Sequence, residues 1–233
     1  MTQLPENVRQ LADDEEFSFA CHPGVPCFNQ CCRELELALT PYDVLRLCRH
    51  LGITTGQFLE QYAVVEDDDQ SPFPRVYLAM VDDGRASCPF VSADGCSVYP
   101  HRPAPCRTYP LGRAAFHGPD GRPDSFHVII KEEHCHGFSE DVPQTIASWT
   151  AGQGLTEYNR HNDAMLAILQ HPDLGRGMQP KPEQRQLFLT CLYDLDDFRG
   201  QGRVEQAAEL SDEEMLLAAI NWLRLQIFGF FKF

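Results

Sequence analysis

The apolar positions of this chain change their period along its length. Residues 1–16 carry scattered apolar residues among Asp13, Asp14, Glu15 and Glu16 and read as a polar lead-in; Phe17 and Phe19 are the first apolar anchor. Beyond Leu35–Leu39, Val44, Cys48 and Leu51 recur at i, i+4 and i+7, one face of a helix. The punctuation agrees: Thr40 as N-cap, Pro41 at the first helical position, Asp43 in the first turn and Gly52 after the last periodic residue. A second short helix begins at Thr54 or Thr55 and presents Phe58, Leu59 and Tyr62. The middle of the chain is strand-like. Residues 75–81 have the composition of a strand, and turn signals at Asp83-Gly84 and Asp94-Gly95 bracket Cys88-Pro89-Phe90-Val91. Cys88 and Cys96 then lie on successive segments of a small antiparallel element. The prolines between Tyr99 and Pro110 forbid helix and predict a rigid extended loop around Cys106. Residues 125–130 form a further strand that delivers Cys135 on the loop 133–137.

The second half turns helical. Helices are expected over 143–150, from a cap at Thr156 through Gln170 (Met165, Leu166, Ile168 and Leu169 apolar), over 182–198 with Cys191 in the apolar stripe, and from Ser211 to about Phe228. Ser211 with Glu214 makes a capping box there, and Leu210 with Met215 a hydrophobic staple. The fold class is α+β: a small cysteine-rich metal-binding core of short antiparallel strands and loops over 17–138, followed by a helical part over 139–233 that packs on it within one compact domain.

Cysteine is what sets this pattern apart. Ten are present, four of them within Cys21–Cys32. Pro23, Gly24 and Pro26 keep Cys21 and Cys27 on a loop. Cys31 and Cys32 are adjacent, so their side chains diverge and a disulfide between them would close a strained ring. They serve different metals, or one is a ligand and the other a supporting thiol. Cys48 and Cys191 sit in helical apolar stripes and read as small buried hydrophobes. The rest, Cys21, Cys27, Cys31, Cys32, Cys88, Cys96, Cys106 and Cys135, are loop thiols, enough for two four-sulfur sites or for one site with thiols to spare. Thiolate is the soft ligand that zinc and iron–sulfur clusters select. The spacings C-x5-C-x3-C-C and C-x7-C-x9-C contain no paired short zinc knuckle, so an iron–sulfur cluster is preferred and zinc is second.

Composition narrows the class. A chain of 233 residues with 43% hydrophobic content builds a core without disulfide staples. No basic n-region with an apolar run opens it, which places the protein in the cytoplasm, where clustered thiols stay reduced. No apolar run has the length of a membrane span. A net charge of −15 argues against nucleic acid as partner. The acidic run Glu66–Asp69 lacks the alternating ligands of a hard-cation loop and reads as a solvated loop. His22, His101, His134 and His136 stand near the cysteines as alternative ligands or proton carriers, with surface roles the default. Arg33, Arg102 and Arg107 offer hydrogen bonds that would offset thiolate charge. Gly152-x-Gly154 and Gly175-x-Gly177 follow no convincing strand and read as turns rather than as a nucleotide-binding loop. The apolar ending, residues 228–233, packs back on the core or offers a surface to a protein partner.

The order Phe19-x-Cys21, Cys27, Cys31-Cys32, Leu39-Thr40-Pro41-x-Asp43, Cys88-Pro89-Phe90, Gly95-Cys96-Ser97-Val98-Tyr99, Arg102-Pro103 and Cys106-Arg107-x-Tyr109-Pro110 resembles the YkgJ-like cysteine-cluster family, also called CxxCxxCC, of zinc- or iron-chelating proteins. The likeness covers residues 17–138 and implies metal chelation. The first spacing departs from the family name, with five residues between Cys21 and Cys27 instead of two. Flagellin lysine methylases carry a similar motif with an iron–sulfur centre and S-adenosylmethionine. The resemblance therefore leaves three readings: a cysteine-ligated structural or redox centre, a metal-dependent protein-modifying enzyme of methyltransferase type, and a metal-handling or interaction protein.

Overall fold

The computed structural model describes residues 4–229 apart from 69 and 119. The fold is mixed α+β. The chain opens with β1 (Val8–Leu11) and β2 (Phe17–Ser18), then enters α1 (Pro41–Leu51) and α2 (Thr55–Tyr62). The Thr40 cap read from the sequence is present, and both helices close with a reciprocal cap. Thr40 Oγ1 accepts the Asp43 amide at 3.3 Å while the Thr40 amide donates to Asp43 Oδ2 at 2.8 Å, and Thr54 and Gln57 repeat the arrangement at 3.2 and 2.9 Å. Gly52 closes α1 at φ 68°, a left-handed position that favours glycine.

Strands β3 (Ala63–Glu66) and β4 (Arg75–Leu78) pair antiparallel, and β5 (Val91–Ser92) with β6 (Gly95–Cys96) makes the expected small hairpin. Next come α3 (Ala104–Thr108), β7 (Leu111–His117), β8 (Pro123–Ile130) and β9 (Pro143–Gln144). Helices α4 (Ile146–Gly152), α5 (Leu155–Ala164), α6 (Leu166–Leu169), α7 (Pro172–Gly175), α8 (Pro182–Leu192), α9 (Leu195–Gly200) and α10 (Asp212–Phe228) complete the described chain.

Several expectations are corrected. The lead-in contains β1, which pairs with β8 from Val8↔Ile130 to Leu11↔His127; its pairing partner, not an alternating pattern, makes it a strand. The prolines around Cys106 do not forbid a helix. Pro105 lies in the first turn of α3, where a missing amide leaves no hydrogen bond unmade. The helix expected from Pro143 starts at Ile146, because Pro143–Gln144 pairs with Phe17–Ser18 and Thr145 is the cap, accepting the Ser148 amide at 3.1 Å. Thr156 lies inside α5 rather than capping it, the run to Gln170 breaks at Met165, and Leu169 is exposed. The run 182–198 also breaks, at Tyr193 and Asp194. The break frees acidic groups to meet α2: Thr55 Oγ1 donates to Asp194 Oδ1 at 3.0 Å and the Thr55 amide to Asp196 Oδ2 at 2.8 Å, a negative charge at a helix N-terminus. The glycine pairs at 152–154 and 175–177 are helix-terminal turns, with Gly154 and Gly177 at positive φ. The acidic run is held by protein: Arg185 Nε donates to Asp67 Oδ1 at 2.7 Å, and its Nη atoms reach carbonyls of Asp68, Ser71 and Pro72. Asp69 lies outside the described residues.

The chain forms two units. One runs up to Leu35 and resumes over Met80–Asn159; the other takes Glu36–Ala79 and the chain from Arg160 on. The first unit is built on the sheet β1-β8-β7 and an aromatic core of Leu11, Phe17, Phe19, Leu111, Ile146 and Trp149. Phe19 meets Phe138, Trp149 and Tyr109 edge-on at ring separations of 5.1, 5.5 and 5.8 Å. The second unit holds the long helices and buries Cys48 and Cys191 completely, as their apolar stripes require. In it Phe228 stacks on His171 at 3.7 Å; the rest of the apolar ending, 230–233, lies outside the described residues. Among the described residues no helix is long and apolar enough to cross a membrane.

Candidate metal centre

The eight cysteines expected on loops all belong to the first unit, with Cys96 in β6 and Cys106 in α3, and Cys48 and Cys191 belong to the second. All ten are free thiols. The loop from Cys21 to Cys32 is a succession of tight turns, in which Val25, Phe28, Gln30 and Cys32 each donate an amide to the carbonyl three residues back, ending in a 3-10 turn at Gln30–Cys32. Phe19 anchors its start. The Ala20 amide donates to the Gly137 carbonyl at 3.1 Å, which sets Cys21 beside the Cys135 loop. That approach needs glycine, since a Cβ at Gly137 would stand 2.5 Å from Phe19 Cε2 and 2.8 Å from the Ala20 carbonyl.

The same loop reaches Cys27, whose buried Sγ accepts the His136 amide at 3.1 Å. On the other side, the Cys88 amide donates to the Cys32 carbonyl at 2.8 Å. Val91 donates to the Cys88 carbonyl at 3.1 Å and pairs with Cys96 across the β5–β6 hairpin. Cys106 projects from α3 with Arg102 beside it: the Arg102 charge bears on both Cys96 and Cys106.

Amide donors recur at sulfur. Burial pushes the Cys88 thiol up, and the Phe90 and Val91 amides oppose it by donating to its sulfur. At Cys96 the opposing amide is that of Val98, and at Cys135 that of Gly137. In each case one donor is the amide two residues on. At Cys88 the intervening residue is Pro89, which has no amide to offer, so the turn aims Phe90. Such hydrogen bonds stabilise thiolate charge and tune sulfur-ligated metals.

The thiols also feel one another. Desolvation, then the neighbouring thiols of Cys31, Cys27 and Cys135, raises Cys21 to about 11. Cys31 and Cys32 shift in opposite directions: the Cys32 thiol beside it holds Cys31 down at about 7, and Cys31 together with burial drives Cys32 strongly upward. The Tyr109 hydroxyl, kept protonated by burial, faces Cys135 without a closed hydrogen bond.

The histidines and arginines sort differently. His22 Nδ1 accepts the Gly24 amide at 3.1 Å, so Nε2 carries the proton and donates to Glu140 at 3.2 Å; both nitrogens are engaged by protein. His134 pairs with Glu132 at 3.6 Å, and His136 serves through its backbone amide. Arg107 ties down the loop: Nε donates to the Arg102 carbonyl at 2.8 Å, Nη1 to the Gln153 carbonyl at 2.7 Å and Nη2 to the Pro100 carbonyl, over the Tyr158 ring at 4.6 Å. Its donors go to carbonyls, not to thiolates. Arg33 donates to the Asn29 carbonyl at 3.3 Å.

A family model described as "Putative zinc- or iron-chelating domain", CxxCxxCC, matches residues 20–136, half of the chain. The chain belongs to this CxxCxxCC family. No curated protein and no solved structure matches the chain significantly. The CxxCxxCC match begins one residue before Cys21 and ends one after Cys135, so it spans the eight candidate cysteines and Cys48 but not Cys191. The family supports metal binding by this chain, with zinc and iron as the ions concerned.

The residues present fit such a group in donor type: soft thiols, several with an amide aimed at sulfur, gathered in one unit. Among the described residues no group of three His, Cys, Asp or Glu side chains is arranged to hold an ion as it stands. Each thiol has a single rotatable bond, χ1, through which to turn toward an ion.

Proposed function

We propose that Cys21, Cys27, Cys31, Cys32, Cys88, Cys96, Cys106 and Cys135 hold metal through thiolate sulfur, as iron–sulfur in the first instance and as zinc in the second. One observation supports the reading above the others: these thiols lie in one unit on segments far apart in sequence, and the backbone supplies amides to sulfur, the His136 amide to Cys27 at 3.1 Å and amides that favour the thiolate at Cys88, Cys96 and Cys135. A buried apolar cysteine needs no such donors, as Cys191 illustrates: desolvation pushes it up to about 12 with only the Arg203 charge opposing. Amides at sulfur favour the charged form that a metal requires. The preference for iron–sulfur rests on these donors, which set the potential of sulfur-ligated iron, and on the absence of paired short zinc knuckles.

When bound, the group would supply electron transfer if iron–sulfur, or a cross-link of the loops if zinc. The chain's own part is to aim sulfurs and amides, to place Arg102 against the thiolates of Cys96 and Cys106, and to close the Cys135 loop on Phe19. The test is iron and acid-labile sulfide, with zinc, measured on protein purified without oxygen. Iron with sulfide and a broad band near roughly 400 nm is the expected result. Zinc in a colourless protein would move the assignment to the second metal, and protein free of both would overturn it.

A further inference from the structure

Two guanidinium groups of the first unit share a groove and meet no carboxylate there. The groove, about 650 Å³ in volume, has Phe28, Val81, Pro89 and Val91 as its apolar wall and Arg33 and Arg85 as its cationic one. Among the described residues neither arginine makes an ion pair, in a chain with 34 acidic residues against 19 basic ones. Elsewhere Arg9 meets Glu15 at 2.7 Å and Arg75 meets Asp68 at 2.8 Å, the ordinary outcome where a carboxylate is in reach. The carboxylate on this groove, Asp83, is turned to its own loop instead: Oδ1 accepts the Arg85 amide at 3.0 Å and the Ser87 amide at 3.3 Å.

Arg33 is fixed in place while part of its donor set stays open. Its backbone bridges to Ser87, and the neighbouring Glu34 amide donates to the Ala86 carbonyl at 3.1 Å. Glu34 and Ala86 hold φ of 51° and 44°, left-handed values that residues other than glycine adopt at a cost, and such strain gathers at ligand sites. Arg33 Nη1 donates to the Asn29 carbonyl at 3.3 Å, whereas Nε is buried and has no acceptor. A buried donor left without a partner is costly. The edge that remains, Nε with Nη2, is the fork that takes a carboxylate through two parallel hydrogen bonds.

We infer that this groove binds an organic carboxylate with an apolar body, its two oxygens on the Arg33 fork, Arg85 adding a second positive charge, and its body against Phe28, Val81, Pro89 and Val91. Apolar walls with a few polar groups that orient the ligand, at this volume, are the make-up of a small-molecule site. Cys88 is also on the wall, which sets the ligand beside the thiols assigned to metal. Binding of the anion goes beyond the metal reading, and the two are measured separately.

The test titrates the full-length protein by calorimetry with N-acetyl-leucine and with N-acetyl-leucinamide, which differ only in the carboxylate. Saturable binding of the acid, about tenfold or more tighter than of the amide, is expected. Arg33→Lys keeps the charge but not the fork, and Arg85→Ala removes the exposed cation; each should weaken binding of the acid by about tenfold or more. Equal binding of acid and amide would overturn the inference on wild-type protein alone, whatever the variants' folding. So would failure of the acid to bind, or undiminished binding by either variant. Metal per chain is measured on the same samples: its loss from Arg33→Lys with acid binding intact would overturn the inference in favour of a role for Arg33 at the thiols. An acetylated tripeptide ending in leucine that binds more tightly than N-acetyl-leucine would identify a peptide terminus as the source of the carboxylate, and equal or weaker binding a small acid; both uphold the groove.

Discussion

Among the described glycines Gly137 leaves the least room for a side chain, with Phe19 and the Ala20 carbonyl lying where any β-carbon would go. Gly137→Ala must displace Phe19 from its ring cluster or lift the Cys135 loop. Overpacking of this kind costs about 1–3 kcal/mol, so the variant should unfold at lower urea and purify with markedly less metal than wild type. The helical cysteines should behave in the opposite way. Cys48→Ser or Cys191→Ser buries a hydroxyl in an apolar stripe, with an expected cost of about 1–3 kcal/mol and no change in metal per chain. Metal loss from either would assign it to the centre. At this scale the division of the ten cysteines was legible, because helix periodicity isolates Cys48 and Cys191. The amides aimed at sulfur were not: backbone donors leave no mark in the residue types, apart from Pro89 and Gly137, which fall between or beside them.

The helices over 41–62 and 212–228 are legible in the sequence, since Thr40, Pro41 and Gly52 mark the ends of one and Ser211 with Glu214 writes both hydrogen bonds of its cap into the sequence. Thr40→Ala removes the acceptor for the Asp43 amide, and a cost of about 0.5–2 kcal/mol in urea unfolding is expected; Thr40→Ser should recover most of it. Elements made by distant partners were not legible. The strand Val8–Leu11 exists because His127–Ile130 offers an edge, and Tyr193–Asp194 breaks a helical stripe because Thr55 and Leu39 take their side chains. Proline was read too strictly around Cys106, where it opens a short helix instead of preventing one.

The whole molecule divides its cysteines by environment, loop thiols with amide partners in one unit and apolar thiols in the other. This gives a pH dependence for the second unit. Desolvation pushes Cys48 and Cys191 up to about 12 from an ordinary value of 9.0. Above pH 9.0 the unfolded chain releases these protons while the folded chain holds them, so the stability from burying neutral thiols is complete below that pH and is lost as pH rises toward about 12. Cys48→Ala should therefore lose less stability than wild type between about pH 8 and pH 11 in chemical unfolding; an equal loss would mean that the thiol is not held neutral by the fold.

The central claim, metal held by sulfur from these loops, is tested most directly by X-ray absorption at the metal edge of anaerobically purified protein. A first shell of sulfur at about 2.3 Å, four per metal, is the predicted result. A shell of nitrogen or oxygen at about 2.0–2.2 Å would contradict it.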